Sequence, residues 1–563
     1  MSLLKKSLLE KSLPDWFWIP LTRKGMPIMR DNRLFAAQLA TALTLIVPCG
    51  LSAPASAQTA AAAGATKPGL QCNTAVVADP FKGKLAGPDI PAGILPVDAA
   101  TKASILSSGM PCQERVSPVG LEDVGLENLQ RGFDFYSWRT FIAMNSPADG
   151  TPIEKSQPDQ RTRWEDMDSF KQLLDVMLPA KMQPPKWSTD RAGMEAERDR
   201  LIPAECAALH KQMPDRMVVK MIEESFNEPF KTGPLIDQQG RYAIFDILMN
   251  RQMFNYILEH HLYSRDGQDG AANSGLLVDF PVGQNARDAT PTQKAVVADL
   301  GAFMLKVSWK ILGPDEPKPE TFHQVKALVL MPPGDPKAKR PCLPETLGLI
   351  GFHAVHKTAS RPQWIWTSFE HAKNVPDKDE VAAKTFSGPY NFFNVNCKDD
   401  CAEENATPPR QFWQPDPALQ LKFKDAKFKS QIVRETPLTD AAKNINTIFH
   451  SMLKGTVWEN YMLLSTQWPS AFACTSLHSG NPPDPIPNTD FQKQPDMNCS
   501  PAPTYFANST LETYSQGNIP LASSSCIACH GNAVGFQTSA SNQKAGEVRL
   551  NQSDFTFMLE KAQ

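Results

Sequence analysis

The hydrophobic pattern of this chain changes period along its length. In FDFYSWRTFIAM the apolar residues Phe135, Trp138, Phe141 and Ile142 recur at helical spacing, which predicts a helix whose stripe packs into a core. A longer helix is expected near 242–262, with Phe245, Leu248, Met249, Phe254, Ile257 and Leu258 as apolar positions and His260 and His261 in its last turn, facing the negative helix pole. From about residue 300 the runs shorten. Residues 302–311, 325–331, 347–358 and 364–369 are rich in Val, Ile, Leu, Phe and Trp between Pro, Gly and Asp breakers, so they read as strands. Ala359-Ser360-Arg361-Pro362 would close the last two into a hairpin, giving an antiparallel sheet over roughly 300–372. After residue 435 helix returns: Thr439 and Asp440 offer an N-cap, Ile445, Ile448, Phe449, Met452 and Leu453 share a face, and Gly455 is a stop. A second helix is expected over 457–466, then Pro-rich loop over 474–503. Ser509-Thr510-Leu511-Glu512 has the form of a capping box opening a short helix.

With 563 residues, two packed regions or one elaborated domain are both possible. The 57 Lys and Arg against 60 Asp and Glu, without long runs of one sign, argue against nucleic acid as a partner. The 49 prolines exceed the average usage of about 5% and are spread out, which predicts a loop-rich protein.

The N-terminus reads as an export signal. From Met29, Arg30 and Arg33 make a positive region, residues 34–47 an apolar one, and Ala55-Ser56-Ala57 a small-residue cleavage site, so the mature chain would begin at Gln58 in the periplasm. Residues 1–28 form a doubtful extension, with Met26 and Met29 as alternative starts. An uncleaved anchor is the competing reading; Cys49, preceded by Pro48, does not fit a lipoprotein site. No later segment is apolar for long enough to span a bilayer. Cys72, Cys112, Cys206, Cys342, Cys397, Cys401, Cys474 and Cys499 then form an even set, for which at least two disulfides are expected, with 105 possible connectivities.

Ser525-Cys526-Ile527-Ala528-Cys529-His530-Gly531 contains C-x-x-C-H, the attachment signature of c-type haem. One helical turn presents two thiols to the two vinyl groups of a porphyrin, and the next residue puts an imidazole under the iron. Chance gives about 0.004 such occurrences at this composition. A thioredoxin-like pair would want a strand–helix setting, a zinc site would want a fourth ligand less crowded than adjacent Cys529 and His530, and a plain disulfide leaves His530 without a role.

Over about the last sixty residues the chain resembles the haem-binding loop of c-type cytochromes. SWRTFIAMNSP at 137–147, GLIGFHAVHKT at 348–358, WTSFEH at 366–371, TQWP at 466–469 and LETYSQG before the motif resemble large bacterial proteins of the cytochrome c family. The resemblance implies one covalent haem c with a large extra body, and no substrate. His530 would be the proximal iron ligand. Distal candidates are Met558, the only Met after His530, whose apolar company also suits core packing, and His371 or His353, each of which has a structural reading as well. On a strand His353 and His356 would point to opposite faces.

The expected fold is α+β, mainly helical and loop-rich, with a central antiparallel sheet and a haem-binding helical segment at the C-terminus. The expected divisions are a signal at 1–57, a loop-rich lead-in at 58–125, a main body at 126–500 and a haem-binding segment at 501–563 packed on it. The expected function is electron transfer by a periplasmic monohaem cytochrome. The alternative is a haem-c-dependent oxidoreductase acting on peroxide, oxygen or an organic substrate. Its partner would be a redox protein or a small molecule.

Overall fold

A computed structural model describes the chain except for residues 1–69, 71, 74–76, 86, 115–120, 180–181, 221–228, 230–231, 277, 283–299, 332–339, 359–360, 399, 408–425, 470–500, 518–523, 532, 534, 536–552. The export signal, Cys474, Cys499 and most of the 474–503 loop lie outside the described residues.

Two short strands, β1 (Cys72–Asn73) and β2 (Met110–Pro111), pair in parallel. Nine others, β3 (Phe170–Gln172), β4 (Met217–Lys220), β5 (Ala243–Asn250), β6 (Phe303–Ile311), β7 (Gln324–Leu330), β8 (Cys342–Thr358), β9 (Arg361–His371), β10 (Tyr461–Pro469) and β11 (Pro501–Ala502), form one sheet. Its order is β11-β10-β9-β8-β6-β5-β3, while β7 pairs with the start of β8 and β4 runs parallel to β7. All other pairings are antiparallel, as the alternating runs predict. Thr358 pairs with Arg361, so Arg361 and Pro362 belong to β9 rather than to the turn.

The helices among the described residues are α1 (Ala99–Leu106), α2 (Leu121–Asn145), α3 (Arg191–Arg200), α4 (Ala204–Gln212), α5 (Arg251–Glu259), α6 (Arg265–Asn273), α7 (Lys378–Ala383), α8 (Asp440–Leu453) and α9 (Cys526–His530). The architecture is therefore mixed α+β, with the sheet as its organising element rather than a mainly helical body. No described helix is long and apolar enough to cross a membrane.

Two expected helices are strands over part of their length. Residues 243–250 pair with β6, burying Ile244 and Leu248 on one face and Phe245 and Met249 on the other. A strand apolar on both faces cannot be told from a helix by period alone. Asn250 ends it by accepting a bond from Met253 N, and α5 begins there. Residues 457–466 likewise divide into a 3-10 turn, Val457–Asn460, and β10, because the edge of β9 supplies backbone partners that a short isolated helix lacks.

The sheet buries both faces. On the first, Trp138 of α2 stacks on Phe449 of α8 at 4.7 Å and Phe141 stacks on Phe369 at 4.1 Å. Trp138 Nε1 donates to Asn446, and Ser137 Oγ bonds Thr367 and Thr466, so SWRTFIAM is a packing phrase. On the second, Met304, Val355, Trp364 and Trp366 meet α5 and the C-terminal residues Phe555, Met558 and Leu559. The described part of the expected lead-in is not peripheral, since Phe81, Leu85, Ile105 and Met110 join the first core.

Disulfides join Cys72 to Cys112, Cys206 to Cys342 and Cys397 to Cys401, meeting the expectation of at least two.

Candidate functional site

The C-x-x-C-H residues form α9, one short turn of helix lying on the second face of the sheet. Gln467 of β10 sets its entry. Facing that side as the cross-strand neighbour of Trp366, its Oε1 accepts from Ile527 N at 2.8 Å and from Ser525 Oγ at 3.2 Å, and its Nε2 donates to Pro503 O at 2.7 Å. Ile527 is fully buried in the Met304–Trp366 cluster, which turns the rest of the motif to a fixed side. Cys526 and Cys529, one turn apart, are unbridged and partly exposed, whereas the other six described cysteines are all in disulfides. Burial, reinforced by the Glu512 charge, raises the Cys526 thiol well above its ordinary range and pushes Cys529 up to about 12.

His530 is oriented through one nitrogen. Nδ1 lies 2.8 Å from the carbonyl of Phe555, which can only accept, so Nδ1 carries the proton and Nε2 keeps its lone pair. No described residue bonds Nε2. Trp366 and Phe557 flank the ring at centroid distances of 4.4 and 5.0 Å. Burial lowers His530 to about 4 despite the Phe555 bond, which keeps the imidazole neutral, the form that ligates metals.

Beside the motif stands a charged cluster that the sequence reading did not single out. Glu512 receives His353 Nε2 at 2.9 and 3.0 Å and Lys306 Nζ at 3.2 Å, with Lys306 and His353 directly opposite each other on β6 and β8. Burial opposes the charge on Glu512, but His353 and Lys306 hold its carboxyl well below the usual carboxylate range. The expected capping box is not formed here. Ser509 Oγ donates to Glu370 at 2.6 Å, Asn508 Nδ2 to Ser368 Oγ at 2.9 Å, and Thr510 Oγ1 meets Ser308 Oγ at 3.0 Å. The segment is stapled to the sheet, and only a 3-10 turn at Thr513–Ser515 follows. Gly351 permits the close approach: a Cβ there would collide with Ser308 Oγ and Thr510 Oγ1. Gly351→Ala is expected to destabilise the protein by about 1–3 kcal/mol through this overpacking, and an unchanged melting temperature would contradict it.

The distal candidates separate. His353 faces the motif, while His356 faces the other way, its Nδ1 accepting from Tyr136 OH at 2.5 Å. His371 is also on the opposite face, stacked on Phe322 at 4.3 Å. Its Nε2 donates to Thr321 O and its Nδ1 accepts from Lys373 N, so it has no lone pair left for a metal and is removed from the candidates. Met558 is buried in the same cluster as Ile527, in the segment whose Phe555 carbonyl holds His530 Nδ1. His353 is on the right face, but Glu512 occupies its Nε2.

Among the described residues no three His, Cys, Asp or Glu side chains are arranged to hold a bare metal ion. An iron in a porphyrin needs less, a single imidazole and two thiols for the ring edge, and the residues present fit that requirement. Compared with models of known families, with curated proteins and with solved structures, the chain matches none.

Proposed function

We propose that this chain is an exported monohaem c-type cytochrome that transfers electrons, its haem carried by Cys526, Cys529 and His530. One arrangement carries the reading: an imidazole fixed by Nδ1 to the Phe555 carbonyl, with Nε2 bonded by no described residue, directly follows two unbridged thiols on one helical turn. Such a bond to the non-ligating nitrogen sets the tautomer and raises the basicity of the ligating one. A haem held there supplies one-electron chemistry through its iron. The chain supplies the thioether sulfurs, the proximal nitrogen, and apolar walls from Trp366 and Phe557 that keep water from the imidazole. The disulfides and the signal pattern support export to an oxidising compartment. The partner would be a redox protein or a small molecule.

The test is a spectrum of the mature protein made with haem maturation. One c-type haem per chain is expected, and haem extractable by acidified solvent would overturn the reading. Glu512→Gln should raise the midpoint potential, because a negative charge favours the oxidised iron. A charge at about 10 Å in an effective dielectric of about 20 is worth about 1.7 kcal/mol, or about 70 mV; redox titration of both forms measures it.

One observation favours a second reading, a haem-dependent oxidoreductase acting on peroxide, oxygen or an organic molecule. His353 Nε2 is engaged by Glu512, which makes a histidine–carboxylate pair rather than a free ligand. A high-spin ferric protein that binds cyanide readily at neutral pH would select this reading, and a low-spin protein that refuses it would select electron transfer.

A further inference from the structure

Two consecutive residues other than glycine, Asp554 at φ 50° and Phe555 at φ 62°, adopt the left-handed backbone. Such residues are strained and persist only where their surroundings hold them. The consequence of the turn is the placement of the Phe555 carbonyl, which accepts the Nδ1 proton of His530 at 2.8 Å. The holding falls to Asp554. Its buried Oδ2 receives Lys357 Nζ at 2.5 Å and Phe280 N at 2.7 Å. Lys357, on β8, has a fully buried side chain and also reaches Asp279 at 2.5 Å, a carboxylate that is half exposed. The peptide of Phe555 thus hangs on a lysine anchored in the central strands of the sheet.

A buried ion pair contributes little net stability compared with an apolar pair of the same shape, so its presence here asks for a geometric role. We propose that Lys357 and Asp554 are positioning residues that lock the Asp554–Phe555 turn and so aim the Phe555 carbonyl at His530. Neither touches the haem. They act through one hydrogen bond, whose strength sets how much electron density the imidazole passes to the iron. Loosening the clamp weakens Nδ1–H···O, makes His530 a poorer donor to ferric iron and raises the midpoint potential. Asp279 shares Lys357 from a half-exposed position, so its loss should disturb the carbonyl less than the loss of Asp554.

The electrochemical part of the inference rests on the electron-transfer reading; the hydrogen bond does not. The experiment therefore has two readouts, the tautomer of His530 in the chain made without haem maturation, by nitrogen NMR with labelled histidine, and the midpoint potential of the haem-loaded protein. Without haem, Asp554→Asn is expected to lose the Nδ1-protonated signature, and with haem attached to shift the potential upward, whereas Asp279→Asn changes both less. Should Asp554→Asn fail to fold, Lys357→Met takes its place. It conserves volume, and Asp554, whose carboxyl burial already raises, then becomes neutral rather than an unpaired buried charge. A His530 tautomer and potential unchanged in the folded variant would overturn the clamp. If the native chain carries no haem, the functional reading falls and the tautomer readout alone decides the clamp.

Discussion

Replacing Cys526 and Cys529 together by Ala is expected to abolish the haem stain that, on the proposed function, the wild-type chain keeps through denaturing electrophoresis. Thioether bonds survive detergent and heat, whereas iron ligation by His530 does not, so the stain reports the two sulfurs alone. The substitution should leave the fold intact. Both side chains are partly exposed, they bridge nothing, and Ala is the best helix former at those positions. Far-ultraviolet circular dichroism unchanged alongside a lost stain separates attachment from folding. Each single substitution should retain a fainter band, since one thioether still tethers the ring. A full-strength stain in the double variant would defeat the assignment of the site.

Two histidines remote from Cys526, Cys529 and His530 are expected to make the fold more sensitive to acid below pH 6.5. Burial lowers His356 to about 4 and His371 to about 3, so both stay neutral in the native state while the unfolded chain charges them near 6.5. A group whose folded pKa is depressed leaves stability untouched above its unfolded value and removes it as pH falls towards the folded one. At these two sites the unfolded chain binds up to two more protons, a contribution of at most about 2.7 kcal/mol per pH unit between roughly pH 6 and 4, which the carboxyls of Asp134 and Asp246, pushed up to about 7 by burial, oppose. Denaturant unfolding at a series of pH values gives the slope. Phe at both positions should remove their contribution from it, and an unchanged profile in that double variant would place the acid sensitivity elsewhere.

The staple at 508–512 explains why phrases scattered over the chain belong together. Ser308 from β6, Gly351 and His353 from β8, and Ser368 and Glu370 from β9 all face one side, and together they receive Asn508, Ser509, Thr510 and Glu512. Arg434 holds Glu370 from behind, so removing either partner would strand a buried charge. Gln467 then adds the haem motif to the same face. WTSFEH, TQWP and LETYSQG thus each supply part of one polar surface. In the sequence they were visible as phrases, but which of their residues shared a face depended on strand register.

The sequence by itself determined the local features: the four strands of 302–369, the capped helix at 440–453, the stripe of Trp138 and Phe141, the oppositely facing His353 and His356, and the spacing of Cys526, Cys529 and His530. Each of these depends on neighbours within one or two turns or on strict alternation, which periodicity reads directly. Strand against helix at 243–250 and 461–466 was decided only by the tertiary structure, because both runs find backbone partners on strands far away in sequence. The surroundings of the motif were decided the same way. Glu512, Lys306, Gln467 and the Phe555 carbonyl reach it from four separate stretches, and His371 was lost as a ligand because strand parity and the Thr321 and Lys373 bonds turned it to the other face. Spacing along a chain fixes which residues one turn presents; what stands opposite them is set by long-range pairing, whose register no local pattern contains.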